Sequence, residues 1–294
     1  MNYRVLITEA VNEKGLELLR EQGYQLVMGT GPEEETLLRE CADCDGALTR
    51  NGKFSARVFD ACPNLKVVSM HGIGVDGIDV EAATARGIQV CNAAESNQRS
   101  VAEYAIGLIL MLAKQSVTYH NGLKSGQMAD VRKVYGSDVS GKTLGIIGMG
   151  NIGTQVARMA AHGLGMKVVG YSRRITRDQE MDFGVLTPDM KKVISGADYL
   201  SLHLPGTGST TKLLDAEKLS WLKPSAFLIN TGRGEVIDEA ALIRMLQEGR
   251  LRGAALDVFE GNLPKEDNPL LSMENVIVTP HTAAFTTEAL ERMS

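Results

Sequence analysis

Three residues with chemical potential each follow a short apolar run: Arg233 after "AFLINTG", Asp257 in "GAALDV" and His281 in "VIVTPH". An imidazole that titrates near neutrality suits exchange of a proton on an oxygen. A guanidinium in a glycine-flanked turn suits a grip on a carboxylate and its neighbouring carbonyl. Together they meet the needs of hydride transfer between a nicotinamide and a 2-hydroxy acid. A proton-transfer histidine usually has a carboxylate beside it, and "LDVFEGNLPKED" (residues 256–267) offers Asp257, Glu260, Glu266 and Asp267. The other histidines compete less well. His120 and His162 lie in polar helical or loop contexts, and His203 ends "YLSLH" as a cofactor-side or packing residue. His71, in "SMHGIGVDG", is open to a place beside the substrate.

The most specific stretch is "TLGIIGMGNIGTQVARMAAHGLGMKVVGYSRR". A strand runs into Gly148, Gly150, Asn151, Ile152 and Gly153, and a helix opens from that loop. The first glycine suits a tight turn and the second a close backbone approach to a pyrophosphate. The third suits close packing of helix on strand, and the helix N-terminus supplies amides. Strand, loop, helix and next strand follow in the right order, which lifts GxGxxG above a bare glycine turn. The second strand then ends at Ser172, Arg173 and Arg174, where an NAD site would place an acid. A hydroxyl and two guanidiniums favour a 2′-phosphate, so NADP(H) is expected over NAD(H), with dual use open.

Positioning these groups requires parallel sheets. Ten β-branched apolar runs alternate with helical stretches such as "EKGLELLREQG" and "DEAALIRMLQEG". That pattern predicts an α/β chain of two doubly wound, Rossmann-like domains, because ten runs overfill one sheet. The boundary falls near "ESNQRSVAEYAIGLILMLAKQ", where residues 101–114 read as a helix apolar nearly all round. Residues 116–140 carry no clear strand and read as an arm to a second subunit. The end, "TTEALERMS", starts a helix with Thr286 or Thr287 as cap and reads as truncated.

Net charge is −5 without like-charge blocks, which speaks against a nucleic-acid surface. No apolar run approaches the roughly 20 residues of a membrane span. Cys41 and Cys44 ("CADC"), Cys62 and Cys91 lack a second ligand pair, so no metal is expected. Reduced thiols and the lack of a signal peptide favour the cytoplasm.

The motifs "HGIGVDGID", "SNQRSVAEYAIGLIL", "GKTLGIIGMGNIG", "LSLHLPGTGST", "LINTGRGEVIDEAAL", "GAALDVFEGN" and "TPHTAA" run nearly end to end. In that order they resemble the D-isomer-specific 2-hydroxyacid dehydrogenases, the family of phosphoglycerate dehydrogenase and glyoxylate/hydroxypyruvate reductase. The resemblance implies a flavodoxin-like substrate domain (1–98 plus 284–294), a dinucleotide-binding Rossmann domain (99–283) and an active site in the cleft between them. It implies a homodimer built on the 101–114 helix and the following arm. The amides of Ile73, Gly74 and Val75 would hold the substrate carboxylate, with Arg50 and Asn97 bordering the substrate. Asp257 would contact the nicotinamide end, while Thr231, His203, Leu204 and Pro205 would line the cofactor. Arg233 becomes the carboxylate/carbonyl arginine and His281 the acid/base.

One carry-over fails: the family's catalytic glutamate falls five residues after the aspartate, where this chain has Asn262. Asn262 can orient the ring but supplies no charge, as does the glutamine of formate dehydrogenases in the same superfamily. Three readings follow: an active dehydrogenase with a His–amide pair, substitution by Glu260 or Glu266, or a dinucleotide-sensing binding protein that has lost turnover. Glyoxylate, hydroxypyruvate and 3-phosphoglycerate all fit as substrates, and Arg50 with Lys53 could receive a phosphate.

Overall fold

The computed structural model describes residues 3–294. They divide into two compact units, Met1–Asn97 with Ala284–Ser294 and Gln98–Ala283.

In the first unit, strands β1 (Arg4–Ile7), β2 (Gln25–Met28), β3 (Gly46–Thr49), β4 (Val67–Met70) and β5 (Gln89–Asn92) form one parallel sheet in the order β2-β1-β3-β4-β5. This is a doubly wound order. Its helices start where short polar side chains accept first-turn amides: Asn12 from Lys14, Ser55 from Val58 and Asp79 from Ala82. Leu6, Leu37, Phe54, Val58 and Val68 build the core together with the buried thiols of Cys41, Cys44 and Cys62. Burial pushes the Cys44 thiol up, as expected of packing residues. The C-terminal helix Thr287–Met293, capped by Thr286, returns to this unit, and Glu291 pairs with Lys14.

The second unit holds β6 (Thr143–Ile147), β7 (Lys167–Tyr171), β8 (Gln179–Met181), β9 (Gly184–Thr187), β10 (Tyr199–Leu202), β11 (Phe227–Asn230), β12 (Gly253–Leu256) and β13 (Val276–Val278). Their order is β13-β12-β11-β10-β6-β7-β9-β8. All pairs are parallel except β8 with β9, so the sheet carries one antiparallel edge that the sequence pattern did not announce. The strand order reverses between β6 and β10, the switch point at which such sheets bind ligands.

The helix Gln98–Ala113 is less uniformly enclosed than its composition suggests. Ala102, Ala105, Leu108, Ile109 and Leu112 pack with Leu144, Ile146 and Val156 of its own unit, while Glu103 and Met111 are exposed. Its buried side therefore serves its own sheet. The arm expected after it is helical, Ser116–Lys124 then Met128–Val131, folded back by the Tyr119 hydroxyl donating to the Val134 carbonyl at 2.7 Å. No single helix among the described residues is long and apolar enough to cross a membrane.

Candidate active site

The register of the second sheet brings the chemistry into one row. Tyr171, Ile147, Leu202, Asn230, Leu256 and Val278 are successive cross-strand partners. The residues that follow them, Ser172, Gly148, His203, Thr231, Asp257 and Thr279, therefore leave six adjacent strands at one carboxyl edge.

The glycines of the phosphate loop divide their work as the sequence suggests. Gly148 has φ 105, and a Cβ there would lie 2.4 Å from the His203 carbonyl oxygen. A Cβ on Gly153 would lie 2.1 Å from the Gly148 carbonyl, so helix Asn151–Arg158 packs tightly on the loop. A Cβ on Gly150 would meet nothing within 4 Å. No side chain caps this helix, and its first-turn amides lack intrahelical acceptors. An uncapped N-terminus beside open space fits a pyrophosphate. At the neighbouring strand end, Ser172 Oγ accepts the Arg174 amide at 3.3 Å. The Arg173 and Arg174 side chains have no acidic partner among the described residues.

His203 sits behind this loop. Its ring nitrogens meet Ser201 Oγ at 2.9 Å and Thr231 Oγ1 at 3.5 Å. Enclosure of the ring pushes its pKa down to about 4, which keeps it neutral. Leu204 and Pro205 continue from it, the latter exposed.

Arg233 stands in a turn braced by buried Asn230, whose amide donates to the Arg233 carbonyl at 2.9 Å and accepts from Gly232 N at 3.0 Å. A Cβ on Gly234 would lie 1.9 Å from the Phe259 carbonyl, so only glycine lets this turn press against the chain leading to Asn262. Asn262 Oδ1 and His281 Nδ1 are 2.5 Å apart. Both residues hold left-handed backbone, φ 80 and φ 54. An amide oxygen can only accept, so Nδ1 is the protonated nitrogen facing it. The half-exposed Glu260 carboxylate lies 3.9 Å from Lys212 Nζ, and Glu266 and Asp267 are exposed without a bond to His281. The acid-substitution reading loses its geometric basis.

In the first unit, the amides of Ile73, Gly74 and Val75 run consecutively after Gly72 (φ 151), with no acceptor among the described residues. Arg50 lies 4.4 Å from the Phe285 ring centroid, and Glu9 accepts its amide at 3.2 Å. Asn97 is buried, and its Oδ1 has no partner among the described residues. His71 is buried against Ser294 Oγ at 3.0 Å; burial, then the Arg50 charge, holds its imidazole below the ordinary histidine range.

Residues 106–283 match the D-isomer specific 2-hydroxyacid dehydrogenase, NAD binding domain. The chain belongs to this family. It is 36% identical over 301 residues to a glyoxylate reductase of Korarchaeum cryptofilum, covering 100% of this chain and 90% of that one. It is 41% identical over 288 residues to a D-3-phosphoglycerate dehydrogenase of Methanocaldococcus jannaschii, covering 97% of this chain and 54% of that one. The chain thus spans about half the length of the phosphoglycerate dehydrogenases it matches. Among solved structures it resembles an NADPH-dependent glyoxylate/hydroxypyruvate reductase of Sinorhizobium meliloti in complex with NADP and malonate, with TM-score 0.87, 34% identity and coverage of 100% and 90%.

Asp257 also has a structural role that the sequence did not suggest. Asp257 is fully buried, and its carboxylate accepts from Thr279 Oγ1 at 2.6 Å and from the amides of Thr282 and Ala283 at 2.9 Å each. Through these bonds it anchors the turn that carries His281. Sequence reasoning also missed Asn230, Thr279, Glu235 and Glu239, which hold the turns around Arg233, His281 and Asn262. Only Asn230 left a signal, a lone amide at the end of the apolar run "AFLIN".

Proposed function

We propose that this chain is an NAD(P)-dependent D-2-hydroxyacid dehydrogenase that reduces a small 2-keto acid such as glyoxylate, hydroxypyruvate or 3-phosphohydroxypyruvate. The observation that carries the reading is the Asn262–His281 hydrogen bond, which orients a histidine at the strand-end row that also carries Arg233. A bound nicotinamide supplies or takes the hydride. Arg233 grips the carboxylate and polarises the carbonyl; protonated His281 Nε2 delivers the proton to the C2 oxygen, and the reverse reaction returns it there. The unengaged amides of Ile73, Gly74 and Val75 offer donors for the substrate carboxylate, with Arg50 and Asn97 as further substrate contacts. Ser172, Arg173 and Arg174 favour NADP(H), while NAD(H) stays accessible. Leu123, Met128 and Tyr135, exposed on the arm, support a homodimer formed there.

The test is a panel of 2-keto acids assayed with NADPH and NADH in parallel, on wild type and on the Arg173→Ala/Arg174→Ala variant. We expect turnover with NADPH preferred, and a preference reduced roughly tenfold or more in the variant, the value of two charge-assisted phosphate contacts. Tight NADPH binding with no turnover on any acid would favour the sensing protein instead. Equal use of both cofactors by wild type would remove the argument from the arginines.

A further inference from the structure

Asn262 carries no charge, so no ion-pair attraction draws its amide to the His281 imidazole. Its placement therefore falls to the turn that carries it. That turn is closed by Asn262 N donating to the Phe259 carbonyl at 2.9 Å and Phe259 N donating back at 3.2 Å. Gly261, at φ 82, supplies the third-position backbone of a type II turn. Unprimed two-residue turns match strand twist poorly, so this hairpin needs holding from outside. Two carboxylates hold it. Glu239 Oε2 accepts from Glu260 N at 2.9 Å, and Glu235 Oε1 accepts from Gly261 N at 3.2 Å. The second oxygen of Glu239 accepts from Asn268 Nδ2 at 2.8 Å, while Asn268 Oδ1 caps Leu270 N at 3.0 Å. Glu239 itself opens the helix Glu239–Gln247, capped by Asp238. The clamp thus stands on a rigid element and reaches both sides of the loop that contains Asn262.

We propose that Glu239 is a positioning residue for the Asn262–His281 pair: by bridging residues 260 and 268 it fixes by geometry what a carboxylate at position 262 would fix by charge. Its kinetic consequence rests on the dehydrogenase reading; its structural consequence does not.

Polarity reversal tests it. Glu239→Gln keeps an acceptor for Glu260 N but can turn an amide NH2 towards that of Asn268. Asn268→Asp alone sets two carboxylates face to face, and also serves if Glu239→Gln does not fold. The double variant restores donor to acceptor across the pair. Nitrogen-resolved NMR of His281 reads the hydrogen-bonded Nδ1–H, identified by its loss in Asn262→Ala. In each single variant we expect that signal to broaden or vanish and kcat for keto-acid reduction to fall about tenfold, with cofactor KM within about twofold. In the double variant the signal should return and kcat recover to within about threefold of wild type. Single variants with wild-type signal and kcat overturn the role, and so does a double variant that recovers neither. If wild type turns over no keto acid, the dehydrogenase reading fails while the NMR signal still decides the role of Glu239.

Discussion

The phosphate loop at 148–153 and the turns at 262 and 281 leave the same edge of one sheet, and both use left-handed backbone. They meet that need in opposite ways. The loop puts glycine at φ 105, whereas the turns put asparagine at φ 80 and histidine at φ 54. A left-handed residue with a Cβ costs roughly 1–2 kcal/mol. Where backbone amides meet the ligand, a side chain is only an obstacle, and glycine removes it. Where the side chain is the proposed reagent it cannot be deleted, so the strain must be held by neighbours. His281 N donates to the carbonyls of Asp257 and Thr279 at 2.8 and 3.1 Å, and the Asp257 carboxylate takes the two amides that follow. One region is specified by side chains left out, the other by tethers put in.

The sharpest way to break this contrast is to add one methyl group at two places in the loop. Gly148→Ala forces a Cβ against the His203 backbone at a left-handed φ. It should destabilise the unit by about 3 kcal/mol or more and abolish NADPH binding. Gly150→Ala has φ −86 and open space in the protein, so its Tm should stay within about 2 °C of wild type. Its NADPH Kd should nevertheless rise at least tenfold, because the space it fills is the cofactor's. Scanning calorimetry and fluorescence titration separate the two effects. Normal NADPH affinity in Gly150→Ala would contradict the assignment of that space.

The same contrast explains what could be read from the sequence. All ten β-branched runs are strands, and GxGxxG was legible because its glycines act locally, on their own turn and helix. The strands missed, β2, β8 and β9, lie at or beside sheet edges. β8 is exposed at all three residues and β9 opens on Gly184, so neither shows the apolar run that a buried strand requires. Asn262 could be placed by its offset from Asp257, but its tethers could not. Glu235 and Glu239 read as ordinary first-turn helical acids, and their partners at 260, 261 and 268 meet them only through tertiary contact. The anchoring role of Asp257 was hidden for a related reason: a strand-end carboxylate looks the same whether it faces a ligand or the turn beside it.

Substitutions at position 262 ask whether the tethered side chain or the strained backbone matters more. Asn262→Gly relieves the left-handed cost and deletes the amide. Stability should hold or rise by up to about 1 kcal/mol, while kcat falls roughly tenfold or more as the ring loses its partner. Asn262→Glu keeps a partner and adds charge, which favours the imidazolium. The His-dependent inflection of kcat/KM against pH should then move upward, at a stability cost of about 1 kcal/mol for a Cβ-bearing residue without the local side-chain bonding that suits Asn to this backbone. An unchanged inflection would show that position 262 does not set the charge state of His281.

The smallest expected effect concerns His203, the histidine on the loop side. His203 is held neutral at about 4, below its unfolded value near 6.5, because burial disfavours the charged ring. Between those values the unfolded chain binds more protons than the folded one, so stability rises with pH across that window and falls as pH drops through it. At pH 5 this single group should remove about 1–2 kcal/mol relative to pH 7.5, a Tm difference of roughly 3–6 °C. His203→Asn keeps a polar partner for Ser201 or Thr231 and cannot titrate, so its Tm should fall less between the two pH values, whatever its absolute stability. A wild-type and variant difference that is the same at both pH values would mean that His203 protonates freely in the folded chain. The ring would then be open to water, and the loop side would depend on more than close packing.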